Sequence, residues 1–197
     1  MKKALSILSV LFTALILASC GKDDAQEAEE FPEGTWRPAN EAYVEAAFSK
    51  ASKENILLSI YHSPIEPVTP INSVIIEKLE TGSGTICPIQ TDTVRVFYEG
   101  RLIPSPSHKD GMVFDSTGFD ENINIPTKFA LGYGNVIEGF STAIQNMHVG
   151  DKWRVTIPYQ LAYGENSAGK VPAYSTLIFT VKLMGISHVG EKAPGWQ

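Results

Sequence analysis

The chain has 197 residues, of which 43% are hydrophobic, 19% charged and 10% aromatic, a composition typical of a folded globular protein. Sixteen basic and 22 acidic residues give a net charge of -6, which argues against the phosphate backbone of nucleic acid as the main ligand. Two cysteines, Cys20 and Cys87, are too few for a disulfide framework and form no Cys-x-x-Cys spacing. We therefore expect a globular domain of ordinary size with no nucleic-acid partner.

The N-terminus has the features of an export signal. Lys2 and Lys3 precede an apolar run over residues 4–18, which is shorter than the roughly 20 residues that a membrane-spanning helix needs. The run ends in Leu17-Ala18-Ser19-Cys20-Gly21, which resembles the lipobox of bacterial lipoproteins. This resemblance implies a signal peptide over residues 1–19 and lipidation of Cys20. An ordinary signal peptide that happens to end at a cysteine is the alternative.

An acidic segment follows Cys20. Residues 21–30 carry five acidic side chains and one lysine, and so polar a stretch is typical of a solvated linker. Lys22-Asp23-Asp24 also resembles the signal that sends some Gram-negative lipoproteins to the outer face of the outer membrane, although a solubilising spacer is an equally good interpretation. We expect a lipidated acidic tether over residues 20–39. It would anchor the protein to the outer membrane of the cell envelope, on the periplasmic or the external face.

A small helical extension is predicted before the main domain, over residues 40–72. Apolar residues recur at helical spacing between positions 41 and 53, and Asn40 stands where an N-cap is expected. A short buried strand or connector is expected over residues 56–61, before a proline-rich stretch that interrupts regular structure. Because so short a helix is marginal alone, we expect it to pack on the neighbouring domain.

The main domain begins near residue 73 and has the pattern of an antiparallel sheet. Residues 92–100, 152–158 and 177–183 alternate apolar and polar side chains, as half-buried strands do. Residues 139–147 form the only good helical pattern in this region. The pattern predicts an α+β domain, with about five antiparallel strands wrapped around one short helix.

Eight short motifs occur in a single order along this domain. They are Phe97-Tyr98-Glu99-Gly100, Asp110-Gly111-Met112-Val113-Phe114-Asp115-Ser116, Phe129-Ala130-Leu131-Gly132, Val136-Ile137-Glu138-Gly139-Phe140, Met147-His148-Val149-Gly150-Asp151, Ile157-Pro158, Leu161-Ala162-Tyr163-Gly164, and Val171-Pro172 with Thr176-Leu177-Ile178-Phe179. Their order resembles the FKBP-type peptidyl-prolyl cis-trans isomerases over about residues 73–186, which leaves 187–197 as a tail. The resemblance implies an FKBP-like fold and an enzyme that assists the folding of exported proteins.

Prolyl isomerisation needs neither a nucleophile nor a metal, because no covalent bond breaks. The peptide bond must pass through a twisted state about 18 to 20 kcal/mol higher, and without a catalyst this takes roughly 10 to 100 s. An apolar pocket that removes water from the amide and fits the twisted form is sufficient. The resemblance accordingly implies no cofactor. The expected partners are proline-containing polypeptides and, through the lipid, a membrane, and the protein is expected to be a monomer.

The resemblance assigns three residues to the reaction itself. Asp115 would point at the edge of the pocket near the rotating carbonyl, while the Tyr163 hydroxyl and the Ile137 N–H would hold the peptide. The substrate-binding residues that it implies are Tyr98, Phe114, Val136, Ile137, Phe140, Val171 and Phe179. Taken singly, the apolar ones are also compatible with a core, Asp115 with a turn and Tyr163 with a buried aromatic.

Three departures from the family pattern concern the pocket. Phe140 stands where the family usually has tryptophan, Thr127 stands where a second aromatic is expected, and residues 116–128 lack an arginine that often pairs with the aspartate. These changes would widen the pocket and lower its efficiency. The alternative to an active isomerase is therefore an FKBP-like peptide-binding or chaperone module with little isomerase activity.

Other candidate sites fail on spacing. The four histidines stand far apart without a ligand pattern, so no metal site is predicted. Gly132-Tyr133-Gly134 lacks the third glycine of a dinucleotide-binding loop. Cys87 is expected to be a small buried apolar residue. Residues 101–109 are expected to form a surface loop, as a spacer or a partner site.

Overall fold

The computed structural model describes residues 31–190. The signal peptide predicted over residues 1–19, the lipidation predicted at Cys20 and most of the acidic tether lie outside the described residues, as do residues 191–197 of the tail. Within residues 31–190, no helix is long and apolar enough to cross a membrane.

One antiparallel sheet of seven strands forms the centre of the fold. The strands are β1 (Ile56–Leu58), β2 (Ser73–Glu80), β3 (Thr93–Arg101), β4 (Val113–Ser116), β5 (Thr127–Ala130), β6 (Lys152–Ile157) and β7 (Leu177–Ser187). Their order is β1-β2-β6-β7-β3-β4, and β5 pairs with the first half of β3. The predicted α+β class is confirmed. The sheet exceeds the expected five strands because the extension adds β1, and because β4 and β5 are too short for an alternating pattern to reveal them.

The two helices are α1 (Trp36–Lys50) and α2 (Glu138–Ile144). Helix α2 lies against β2 and β6, and its apolar stripe is buried as predicted, with Phe140 and Ile144 both in the core. Gly139 permits the close approach, since a Cβ there would lie 3.2 Å from Cγ1 of Ile157. The helix is therefore fixed directly on the sheet, with its first residues at the edge of the pocket described below.

Helix α1 begins earlier than predicted, and Asn40 is not its N-cap. The Asn40 side chain is fully buried within the helix: it donates to the carbonyl of Trp36 (2.8 Å) and accepts from the Thr176 N–H (2.7 Å). Asparagine at this position docks the helix on the segment that leads into β7, a long-range contact that a local capping pattern does not reveal. The helix therefore begins at Trp36, before residue 40, where the helical extension was predicted to begin.

The segment over residues 101–109 is a surface loop only in its second half. Leu102 and Ile103 are buried in the core, whereas residues 106–109 are exposed. The Leu102 N–H donates to the Met112 carbonyl (3.0 Å), which continues the pairing of β3 with the chain before β4. The expectation of a surface loop was therefore wrong for Leu102 and Ile103.

Cys87 is half-buried rather than buried. Its sulfur lies 3.6 Å from Nε2 of His148, and burial raises the pKa of the thiol. Within the described part of the chain, no group of three or more His, Cys, Asp or Glu residues is placed to hold a metal ion.

Candidate active site

A pocket of about 150 Å³ opens between the start of α2 and strands β3, β4, β5 and β7. Most of the side chains around it are aromatic or aliphatic, and a single carboxylate lies among them. Its lining residues are Tyr98, Phe114, Asp115, Phe129, Asn135, Val136, Ile137, Phe140, Tyr163 and Phe179. Six separate stretches of the chain contribute to this one cavity.

Phe140 lies at the centre of a cluster of aromatic rings in the pocket. Its ring centroid is 5.5 Å from that of Phe129 and 5.3 Å from that of Phe179, both in edge-to-face contact. Phe179 makes the same kind of contact with Phe114 at 5.6 Å, and Tyr98 with Phe129 at 5.6 Å. Edge-to-face pairs at these distances are favourable beyond the area that they bury. The five rings therefore form an apolar surface in which each ring is held by its neighbours.

Gly100 on β3 makes room for two of these rings. Tyr98 and Gly100 are two residues apart and so share one face of the strand. A Cβ at Gly100 would lie 2.7 Å from Cε2 of Phe114 and 2.9 Å from Cε1 of Phe179. Without a side chain at this position, both rings can close over the strand and form one wall of the pocket.

Asp115 and Tyr98 meet at the polar side of the pocket. The Tyr98 hydroxyl donates a 2.5 Å hydrogen bond to Oδ2 of Asp115. Burial, followed by this bond and the charge of Asp115, raises the pKa of Tyr98. Burial and the same charge raise the pKa of Tyr163. Both phenols are therefore protonated at neutral pH and able to donate.

Tyr163 and Ile137 each carry a donor that no group within residues 31–190 uses. Within residues 31–190, neither the Tyr163 hydroxyl nor the Ile137 N–H has a hydrogen-bond partner. Tyr163 is 41% exposed, and Ile137 is the residue directly before the first turn of α2. The pocket thus combines an apolar surface with two donors that are able to bind the carbonyl groups of a ligand.

Val171 is the one predicted site residue that does not line the pocket. The structure brings all the others together. Val171 is 2% exposed and belongs to the core, and its backbone exchanges two hydrogen bonds with Ala168 (2.9 and 3.0 Å). Val171 thus packs in the core, and its predicted part in substrate binding stays a prediction.

Sequence reasoning missed two lining residues, Phe129 and Asn135. Phe129 lies on β5, two residues after Thr127 and hence on the same face of the strand. The alternation of Thr127 and Phe129 along β5 is the signal in the sequence that indicates this position of Phe129. Asn135 follows from no pattern in the sequence. It reaches the pocket because a turn from Gly132, closed by the Asn135 N–H (3.1 Å), leads into α2.

Comparison with known proteins agrees with this site. The family described as FKBP-type peptidyl-prolyl cis-trans isomerase matches residues 84–184, about half of the chain. "FK506-binding protein 2" of Yarrowia lipolytica is 39% identical over 128 residues, which are 64% of this chain and 83% of that protein. The "FKBP-type 22 kDa peptidyl-prolyl cis-trans isomerase" of Escherichia coli is 44% identical over 109 residues, which are 55% of this chain but only 47% of the relative.

Solved structures give the same result. A peptidyl-prolyl cis-trans isomerase from Pseudomonas syringae superposes with a TM-score of 0.57 at 28% identity, covering 80% of this chain and 98% of that one. FkpA from E. coli gives 0.58 at 27% identity, covering 85% and 63%. These relatives favour an isomerase over a binding module without activity. The chain belongs to the family of FKBP-type peptidyl-prolyl cis-trans isomerases.

Proposed function

We propose that this isomerase acts on proline-containing polypeptides exported to the cell envelope, where a lipid on Cys20 anchors it to the outer membrane. The apolar pocket with its two unused donors carries the assignment of the reaction to this site. The export signal and lipobox-like sequence at the N-terminus support the location and the class of substrate.

The apolar pocket would lower the barrier by removing water from the prolyl amide. A proline ring placed against Phe140 and Phe179 would bring its amide bond under the apolar rings, away from solvent. Water stabilises the planar, charge-separated amide more than the twisted one, so dehydration favours the transition state. A reduction of the barrier by about 6 kcal/mol corresponds to roughly a 10⁴-fold acceleration.

The polar groups would then hold the peptide while one bond rotates. Tyr163 and Ile137 would donate to two substrate carbonyls, because their donors are not used within the described chain. Asp115 would face the rotating carbonyl, and Tyr98 would fix the orientation of that carboxylate. Binding that is stronger in the twisted state than in the planar states is what accelerates the rotation.

The substrate class is tested by the refolding of an exported protein whose slow phase is a prolyl isomerisation. The purified full chain should shorten the slow phase in proportion to enzyme concentration, and Tyr163→Phe should do so less. Activity on short prolyl peptides without any effect on the refolding protein would remove exported polypeptides as the substrate class, while leaving the isomerase itself in place.

The anchor is tested by growing bacteria that express the protein in medium that contains radioactive palmitate, and by measuring the label on the protein. The wild-type chain should take up label and sediment with the outer membrane, and Cys20→Ala should do neither. Cys87→Ala is the matched control, since it removes the other cysteine and should remain labelled. Label on Cys20→Ala would contradict the proposed lipidation.

A further inference from the structure

A second cavity of about 450 Å³ adjoins the prolyl pocket. The two cavities share four lining residues, which are Asn135, Val136, Ile137 and Tyr163. Among the other residues that line the larger cavity are Ile60 and Tyr61 of the extension, together with Tyr133. A peptide bound in the prolyl pocket would therefore lie next to a groove that the extension helps to build.

Three hydrogen bonds fix the extension at this groove. The Ser59 hydroxyl donates to the carboxylate of Glu138, at the start of α2. The Ile60 N–H donates to the Thr142 hydroxyl at 3.2 Å, one turn further along the same helix. The Gln90 amide donates to the Tyr61 hydroxyl at 2.6 Å. The extension is thus attached to α2, the helix that also carries Phe140. This attachment fixes the position of the groove relative to the prolyl pocket.

The chemistry of the groove favours an apolar side chain. Tyr61 and Tyr133 are 48% and 84% exposed, and their ring centroids lie 5.8 Å apart in edge-to-face contact. Glu138 is the only charged side chain among the lining residues, and it already accepts from Ser59. The two exposed rings offer an apolar surface on which an aromatic or long aliphatic side chain can pack, and an anionic side chain would be disfavoured by the carboxylate of Glu138.

We propose that this groove is a specificity subsite for the segment of the same polypeptide that flanks the proline. It would take an aromatic or long aliphatic side chain two or three residues from the isomerised bond, packed against the exposed side of the Tyr61–Tyr133 ring pair. A residue at that distance along an extended chain lies roughly 7 to 10 Å away, which suits a neighbouring cavity that shares a wall with the first. This inference rests on the proposed prolyl site and extends it.

The test is a series of alanine-based hexapeptides with one proline, in which a single phenylalanine is placed two or three residues before or after the proline. Exchange between cis and trans forms is measured by NMR on the purified full chain. We expect kcat/KM for one of these positions to exceed that of the all-alanine peptide by about fivefold to tenfold, roughly the effect of one aromatic contact. Tyr61→Ala should reduce this ratio below about twofold and leave the all-alanine peptide unchanged.

Two variants separate a subsite from a structural effect. Tyr61→Phe keeps the ring and should preserve the preference, while Ile65→Ala removes an apolar side chain of the extension that is 93% exposed and lies outside the groove, and should change nothing. A preference that survives in Tyr61→Ala, or an equal loss on every peptide, would overturn the proposal.

Failure of the prolyl site and failure of the groove give different results. If the wild-type chain accelerates no peptide, the isomerase assignment fails, and the groove is then tested by peptide binding alone. In that case, the phenylalanine peptide should still shift the amide NMR signals of Tyr61 and Tyr133 more than the all-alanine peptide does. Equal shifts would refute the groove independently of turnover.

Discussion

The Tyr98 hydroxyl donates a 2.5 Å hydrogen bond to Oδ2 of Asp115, and this bond joins β3 to β4 at the polar side of the pocket. Tyr98→Phe removes the donor of this bond and Asp115→Ala removes its charged acceptor. Each variant should therefore lower the free energy of unfolding by about 1 kcal/mol. The double variant should lose less than the sum of the two. Urea unfolding of all four proteins measures this, and strict additivity would show that the two residues do not interact.

The raised pKa values of Tyr98 and Tyr163 predict a loss of stability at alkaline pH. Phenols in the unfolded chain ionise near their ordinary pKa of 10.0, whereas in the folded protein these two ionise only at higher pH. Their contribution is therefore complete below about pH 10 and decreases as the pH rises above that value. Urea unfolding at pH 8, 10 and 11 should show a smaller alkaline decrease in Tyr98→Phe than in the wild type, and an identical decrease would contradict the assigned pKa shift.

Gly100→Ala should disrupt the pocket through its wall. The new methyl group would lie too close to the rings of Phe114 and Phe179, so the rings must move away from β3. We expect a decrease of at least tenfold in kcat/KM and a lower free energy of unfolding, by about 1 to 3 kcal/mol, as for overpacked cores. Gly100→Ala combined with Phe114→Leu should regain stability, since leucine is shorter. No recovery would place the effect in the contact with Phe179 or in the backbone rather than in the contact with Phe114.

Phe140→Leu should reduce activity more than stability. Leucine retains apolar volume but loses the ring that contacts Phe129 and Phe179. We expect about a tenfold decrease in kcat/KM, with a stability cost near 1 kcal/mol. The matched control is Met147→Leu, a fully buried substitution just beyond the same helix and outside the pocket lining, which should leave kcat/KM unchanged. Equal effects of the two substitutions on kcat/KM would show that Phe140 acts through general packing.

Strands β3, β6 and β7 could be predicted from the sequence because apolar residues alternate along them, whereas the burial of β2 does not alternate. Val94 and Val96 on β3, and Val155 and Ile157 on β6, are all fully buried, so alternation in the sequence follows alternation in the structure. Strands β4 and β5 have four residues each, which is too few for a period to be distinguished from chance. Short strands become recognisable only through their pairing with β3, which is a long-range property.

Site residues could be predicted from the sequence where their position follows from a strand or from a motif. The orientations of Asn40 in α1 and of Val171 in its loop could not be predicted in this way. Asn40 has the residue type of a cap, but it is buried by a contact with Thr176, more than a hundred residues away in the chain. Val171 lies in a loop near the site, and only the turn with Ala168 decides that its side chain enters the core. Such orientations depend on tertiary contacts that spacing does not encode.

The central claim is that the pocket around Phe140 catalyses rotation about prolyl bonds with help from Asp115 and Tyr163. The most direct measurement is protease-free relaxation from cis to trans of a short prolyl peptide, followed by NMR with the purified full chain, Asp115→Ala and Tyr163→Phe. The wild type should accelerate relaxation in proportion to its concentration, and each variant should lower kcat/KM by about tenfold while remaining folded. A wild type no faster than buffer would contradict the account and leave a peptide-binding module.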